Sequence, residues 1–326
     1  MRAALIVETN GTKALSVQDI PDPAPSAGQL LVRVKAAGLN RADLALNANH
    51  RQVGAGQSYP IAGLEFAGEV VAAGDGVERW TPGDRVMGMT AGAYAGYCVI
   101  DQRHAMPVPA GVDWRTAATL PVALQTMYDA IVTNGGLRSG ESVLVQGAAS
   151  GVGIVGMQIA KLMGASVVIG ASRSDEKLAA LKAHGMDEGV NTTDPNWPER
   201  VRTLTGGKGV DLVIDMVSGE TVNGSMLAAA ILGRIVNVGR LGGMSGPFEF
   251  DLHALKRLSY IGVTFRTRSD VEIAAIVAAT AEALQHHVEA GRIALPVVAA
   301  FPLEDITSAY DLMRTNTHLG KIVIEP

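Results

Sequence analysis

The sequence predicts an α/β protein in which a six-strand, doubly wound parallel sheet is joined to a second, β-rich domain. Three observations predict it. From about Leu120 onward, apolar runs of strand length alternate with stretches of helical period, the pattern of a parallel sheet covered by helices. The first third instead shows short runs broken by turn signals at close intervals. Between one such strand and the helix after it lies "GAASGVG", Gly147 to Gly153, a turn made almost wholly of small residues. A chain of 326 residues is long for one core, so two domains are expected.

In chain order, "LLVRVKAAG" alternates apolar and polar residues, "GEVVAAGDG" and "GDRVMGM" are short runs ended by glycine, and "PDPAPSAG" and "TPGD" supply turns. Ser142 to Gln146 is a buried strand. Val152 to Met163 is a helix with Val155, Ile159 and Leu162 on one face and Gly164 at its end. Ser166 to Ala171 is the next strand, followed by a helix carrying Leu178 and Leu181 and ended by Gly185. The strands "DLVID" and "RIVNVG" follow, with "LSYIGVTF" as the last of a six-strand pattern. The helix through Ala274 to Gly291 and the closing "KIVIEP" strand have no place in that sheet and are expected to return to the β-rich domain.

Composition excludes several classes. With 48% hydrophobic and 18% charged residues, and 38 glycines spread along the chain, disorder and repeats are excluded. The net charge of −5 without a basic cluster argues against nucleic acid as a partner. The start "MRAALIVETNG" is too short in its apolar run for a signal core or a membrane span, so a cytoplasmic protein with no membrane partner is expected. Cys98 is the only cysteine, which forbids an intrachain disulfide and a multi-cysteine zinc site. His104, His184, His286, His287 and His318 show no metal-ligand spacing, and Asp211 and Asp215 are read as shaping the ends of a strand.

The small-residue turn has the context that dinucleotide binding needs. Ala148, Ser150 and Gly153 occupy the three glycine positions of the G-x-G-x-x-G fingerprint, and Gly151 adds slack. Small residues admit the pyrophosphate, and a helix starting near Val152 directs free N–H groups at it. About 20 residues further on, an NAD-binding domain would place an acid on the ribose 2′-hydroxyl. This chain reads "GASRSDEK" there. Ser172 does not repel a 2′-phosphate, and Arg173 and Lys177 can approach it, each such bond contributing roughly 1.5–3 kcal/mol, about ten- to a hundredfold in affinity. NADPH is the expected cofactor.

These residues carry a resemblance. "GESVLVQGAASGVGIVGMQIAK" resembles the quinone oxidoreductase signature of the zinc-independent medium-chain dehydrogenase/reductases, including zeta-crystallin-like proteins, and Ser150 resembles the tumour-suppressor-induced subgroup. "GLEFAGEVVAAGDGV" is similar to the superfamily's catalytic-domain motif, and "GRIVNVGRLGG" and "NTHLGKIVIEP" also fit. The resemblance implies a Rossmann cofactor domain over about 121–267, within a discontinuous GroES-like catalytic domain of 1–120 and 268–326. It also implies Gly239 and Asn316 at the cofactor and a homodimer formed through the "LSYIGVTF" strand.

The zinc-dependent relatives place cysteine, histidine and cysteine where this chain resembles them with Asn40, Leu64 and Val122, so no metal is expected, and Glu65 and Asp43 are expected to be structural. Ala42 stands where those enzymes have their relay hydroxyl. By the resemblance, Asn40 lies in the substrate cleft, where it could hydrogen-bond a quinone oxygen, and Thr126 lies by the nicotinamide. His50 and Arg51 align where relatives often carry a cleft tyrosine, and Tyr59 lies further on. The expected reaction is reduction of a quinone, or another electrophilic small molecule, by direct hydride transfer. The rivals are reduction of an activated double bond and, from another class, a nucleotide-binding structural or RNA-binding role.

Overall fold

A computed structural model describes residues 1–45 and 59–326, and all counts of strands and contacts below refer to these residues. The chain divides into two units, Met1–Val122 with Phe265–Pro326, and Ala123–Thr264.

The first unit opens with a hairpin of β1 (Arg2–Thr9) and β2 (Thr12–Asp19), closed by Asn10 and Gly11 at φ 53° and 76°. Positive φ at both central residues is what a type I′ turn requires, and Asn-Gly adopts it at least cost. Next come β3 (Gln29–Leu39), β4 (Glu65–Ala73), β5 (Arg85–Met89), β6 (Tyr97–Asp101), β7 (Ala105–Pro107) and the helix α1 (Trp114–Ala118). The helix α2 (Pro121–Tyr128) begins in this unit and ends in the second.

The second unit then alternates strand and helix: β8 (Ser142–Gln146), α3 (Gly151–Leu162), β9 (Val167–Ser172), α4 (Asp175–Leu181), β10 (Glu188–Asn191), α5 (Trp197–Leu204), β11 (Val210–Asp215), α6 (Val222–Ala228), β12 (Ala229–Asn237), α7 (Phe250–Lys256) and β13 (Ser259–Gly262). The tail, α8 (Asp270–Glu289), β14 (Val297–Pro302), α9 (Ile306–Thr315) and β15 (Lys321–Glu325), belongs to the first unit.

All strands of the second unit's sheet run parallel, in the order β10-β9-β8-β11-β12-β13. This is the doubly wound arrangement, whose order reverses between β8 and β11. β8 is buried throughout because helices cover both faces. The sixth strand is β10, a four-residue edge with one buried residue, Val190, too short to stand out as an apolar run. "LSYIGVTF" contributes only its centre, as the opposite edge, with Ser259, Tyr260 and Gly262 exposed. The first unit's seven-stranded sheet follows β14-β15-β3-β4-β5-β7, with β6 also on β3. Period-two alternation sends Leu30, Val32 and Val34 of β3 inward and Arg33 outward. "KIVIEP" closes this sheet, Ile322 opposite Leu39 and Ile324 opposite Ala37.

Candidate active site

In the second unit the C-terminal ends of the parallel strands line up, with Gln146 in register with Ala171 and Asp215, and Asp215 with Asn237. After Gln146 the chain turns at Gly147, φ 72°, and enters α3. Ser150 is the N-cap: its hydroxyl accepts from the Gly153 N–H at 3.1 Å and donates to the Gly147 carbonyl at 2.8 Å. The serine thus closes the turn on itself and occupies both roles of its hydroxyl. Ala148 is fully buried, its N–H on the Ala171 carbonyl at 3.0 Å. A Cβ on Gly153 would lie 2.7 Å from the carbonyl oxygens of Gly147 and Ala148, so only glycine fits. At the first turn the N–H groups of Gly151 and Val152 have no intrahelical acceptor. This cradle of small residues at a helix N-terminus fits a pyrophosphate.

On the neighbouring strand, Ser172 ends β9, and its hydroxyl accepts from the Ser174 N–H at 3.3 Å. Ser174 caps α4 by accepting from the Lys177 N–H at 3.2 Å. Arg173 is exposed, and no ion pair to it is found among the described residues, while Lys177 is half-buried. Two exposed acids, Asp175 and Glu176, stand between them in the first turn of α4, and Asp175 accepts from the Asn191 side chain at 2.9 Å. Gly239 lies two residues past β12, and the N–H groups of Val238 and Gly239 donate to the Asp215 carbonyl at 2.8 and 3.2 Å. The glycine turn, Ser172 to Lys177 and Gly239 therefore share one edge of one sheet, beside the point where the strand order reverses. Thr126 is also in this unit, half-buried on α2.

In the first unit a buried polar cluster surrounds Asn40. Lys321, only 4% exposed, pairs with the Glu65 carboxylate, which is wholly buried, and donates to the Asn40 side-chain carbonyl at 2.6 Å. The Asn40 amide donates to Glu65 Oε1 at 2.9 Å and to the Gly38 carbonyl at 3.3 Å. The other carboxylate oxygen, Oε2, accepts from the N–H of Val122, second residue of α2, at 2.8 Å. Asp43 Oδ2 accepts from the Asn40 N–H and the Tyr94 hydroxyl, both at 2.8 Å. Burial pushes the Asp43 carboxyl up to about 7, against the pull of these two bonds and of Lys321.

The Asn40 side chain, expected in the substrate cleft, has its carbonyl accepting from Lys321 and its amide donating to Glu65 and to the Gly38 carbonyl. Lys321 and Tyr94 escaped the sequence reading. The available signal was Lys321 directly before Ile322, Val323 and Ile324, a run that reads as buried. Asn316 is the left-handed C-cap of α9, φ 56°, and accepts from Arg41 at 2.6 Å. Tyr59 is exposed, and His50 and Arg51 lie outside the described residues. Among the described residues no group of three or more His, Cys, Asp or Glu is placed to hold a metal, and no helix is long and apolar enough to cross a membrane.

Residues 26–110 match the alcohol dehydrogenase GroES-like domain, and residues 151–282 match the zinc-binding dehydrogenase model. The rat quinone oxidoreductase-like protein 2 is 30% identical, over 99% of this chain and 91% of its own. The chain belongs to the quinone oxidoreductase family of medium-chain dehydrogenase/reductases. The rat quinone oxidoreductase is 29% identical over 99% of this chain and 97% of its own. Among solved structures, a mycobacterial protein complexed with NADPH superposes with a TM-score of 0.87 at 26% identity, over the whole of both chains. The CurK enoyl reductase superposes with a TM-score of 0.84 at 26% identity, over 99% of this chain and 98% of that one. The chain is thus an oxidoreductase with a GroES-like domain and a Rossmann domain.

Proposed function

We propose that this family member reduces quinones with NADPH and without a metal. Bound reduced nicotinamide supplies a hydride. The chain's own part is to hold the pyrophosphate on the turn from Gly147 to Gly153, to meet the 2′-phosphate with Arg173 and Lys177 beside Ser172, and to present Gly239, Asn316 and Thr126 to the cofactor. The observation that carries the choice of acceptor is the internal engagement of the polar groups around Asn40. A quinone takes its protons at two oxygens that water can reach, so it needs no acid held by these residues. Reduction of an activated double bond is the second reading, favoured by the likeness to the CurK enoyl reductase.

A substrate panel followed at the nicotinamide absorbance tests this. Ortho- and para-quinones are expected to turn over faster than crotonyl-type thioesters, and the reverse order replaces the proposal with the second reading. NADPH is expected to bind about tenfold more tightly than NADH, a gap that Arg173→Ala closes in large part; equal affinities in the wild type would overturn the cofactor assignment. The proposal includes a homodimer in which two copies pair along β13, an exposed edge strand. Sedimentation of a stable monomer at micromolar concentration would remove that part.

A further inference from the structure

Ser218 has a backbone conformation that its side chain should oppose. Its φ is 57° and ψ −152°, a region that glycine enters freely and that a residue with a Cβ enters at a cost. The residue is 6% exposed and follows the C-terminal end of β11, the strand that adjoins β8 where the sheet order reverses. A glycine would adopt this turn with less strain, so the serine hydroxyl has to be set against the cost of the Cβ.

The hydroxyl joins two loops. From one side, the main chain of 238–242 is laced to that of 215–217. Val238 and Gly239 donate to the Asp215 carbonyl, Leu241 donates to the Met216 carbonyl at 3.2 Å, and Gly242 donates to the Val217 carbonyl at 2.7 Å. All four bonds run in one direction, from the 238–242 amides to the 215–217 carbonyls. The Ser218 hydroxyl supplies the return bond, donating to the Gly239 carbonyl at 2.8 Å. It also accepts from the Asn237 amide, which reaches the Tyr260 hydroxyl at 3.3 Å as well. The strained backbone is held from below by Asp215, whose Oδ1 accepts from the N–H groups of Val217 and Ser218, both at 2.9 Å. Asp215 is wholly buried, and among the described residues its Oδ2 has no hydrogen-bond partner. Close contact leaves no slack: a Cβ on Gly239 would lie 2.8 Å from the Met216 carbonyl oxygen.

We infer that Ser218 is a positioning residue for the dinucleotide site, held by Asp215 in a strained turn so that its hydroxyl fixes the carbonyl of Gly239. The inference rests on the reading that places Gly239 at the cofactor. A serine kept only for stability behaves differently. In that case replacing it with glycine removes useful bonds and lowers the melting temperature, with the cofactor affected no more than the rest of the molecule.

The test compares the full-length wild type with Ser218→Gly and Ser218→Ala, using three readouts: melting temperature, hydrogen exchange over 237–243 in the absence of cofactor, and the NADPH dissociation constant by equilibrium titration. Ser218→Gly is expected to melt no lower than the wild type, because relief of the strained turn offsets the lost bonds. It is also expected to exchange 237–243 about fivefold faster and to bind NADPH about fivefold more weakly, the worth of one hydrogen bond. Ser218→Ala keeps the strain without the hydroxyl, so it is expected to melt lower with the same faster exchange. Unchanged exchange and affinity in Ser218→Gly would overturn the inference, and so would weaker binding accompanied by a lower melting temperature. Protection of 237–243 by NADPH in the wild type reports separately on the placement of Gly239. Its absence, with Ser218→Gly still speeding exchange in the cofactor-free protein, means that the cofactor reading fails while the anchoring of Gly239 by Ser218 stands.

Discussion

In the first unit the buried polar groups around Asn40 are side chains of opposite charge, whereas at the sheet edge of the second unit they are mostly the amides and carbonyls of glycine-rich turns. Glu65 and Lys321 are carried on β4 and β15, strands separated by β3, so the cluster forms only when those strands pair. The turn from Gly147 to Gly153 is local, and its hydrogen bonds join residues three apart. A cluster of charged side chains responds to pH and to the loss of one partner, because an unpaired buried charge is costly. A backbone cradle is indifferent to pH and sensitive to shape, since a single Cβ on Gly153 meets two carbonyl oxygens.

The largest expected effect sharpens this contrast. Lys321→Met leaves Glu65 buried without its cation and is expected to cost about 3–5 kcal/mol in urea unfolding. A loss below about 1 kcal/mol would show that solvent reaches the carboxylate and that the cluster behaves as a surface pair. Next in size is a pH effect. Because the folded protein raises Asp43 to about 7, it holds a proton that the unfolded chain releases at lower pH. The stability this contributes is full below the ordinary carboxyl range and is lost as pH rises through about 7, about 3 kcal/mol of it above pH 5. Lys321, Glu65 and Tyr94 all act on this carboxyl, and Asp43→Asn is expected to flatten the profile of urea midpoints against pH. A profile identical to that of the wild type would remove Asp43 as its source.

The smallest effect belongs to the second unit. Ser150→Ala is expected to cost about 1 kcal/mol through loss of the α3 cap, at every pH. Ser150→Asp retains a capping oxygen, so calorimetry should find stability near that of the wild type, while the added negative charge weakens NADPH binding. Tight binding by this variant would mean that the phosphates lie away from Ser150.

The elements read best from the sequence were those whose signals are local. The alternation in β3, the apolar face of α3 and the strand from Ser142 to Gln146 each depend on spacing within a few residues. The hairpin turn at Asn10 and Gly11 carried an equally local signal and went unread. β10 was missed for a physical reason, since an edge strand of four residues with one inward side chain has no periodicity to detect. The extent of "LSYIGVTF" was overread because apolar composition does not say how many residues find a pairing partner. In the second unit the glycine turn and Ser172 to Lys177 were legible as a motif, while Ser218 there and Lys321 in the first unit were not, because what matters at these positions is the neighbour each one meets.

By itself the sequence determined the doubly wound sheet and the small-residue turn between its first strand and helix, because both follow from residue types at short, regular spacing, and its motifs carried the resemblance to the family. Only the tertiary structure decided that Asn40 is committed to a buried ion pair, that Lys321 is its cation, 281 residues away in the chain, and that Ser218 closes the bond to Gly239. These are contacts between segments distant in sequence. They exist only once the strands have paired, when water no longer competes for groups that the unfolded chain would leave solvated.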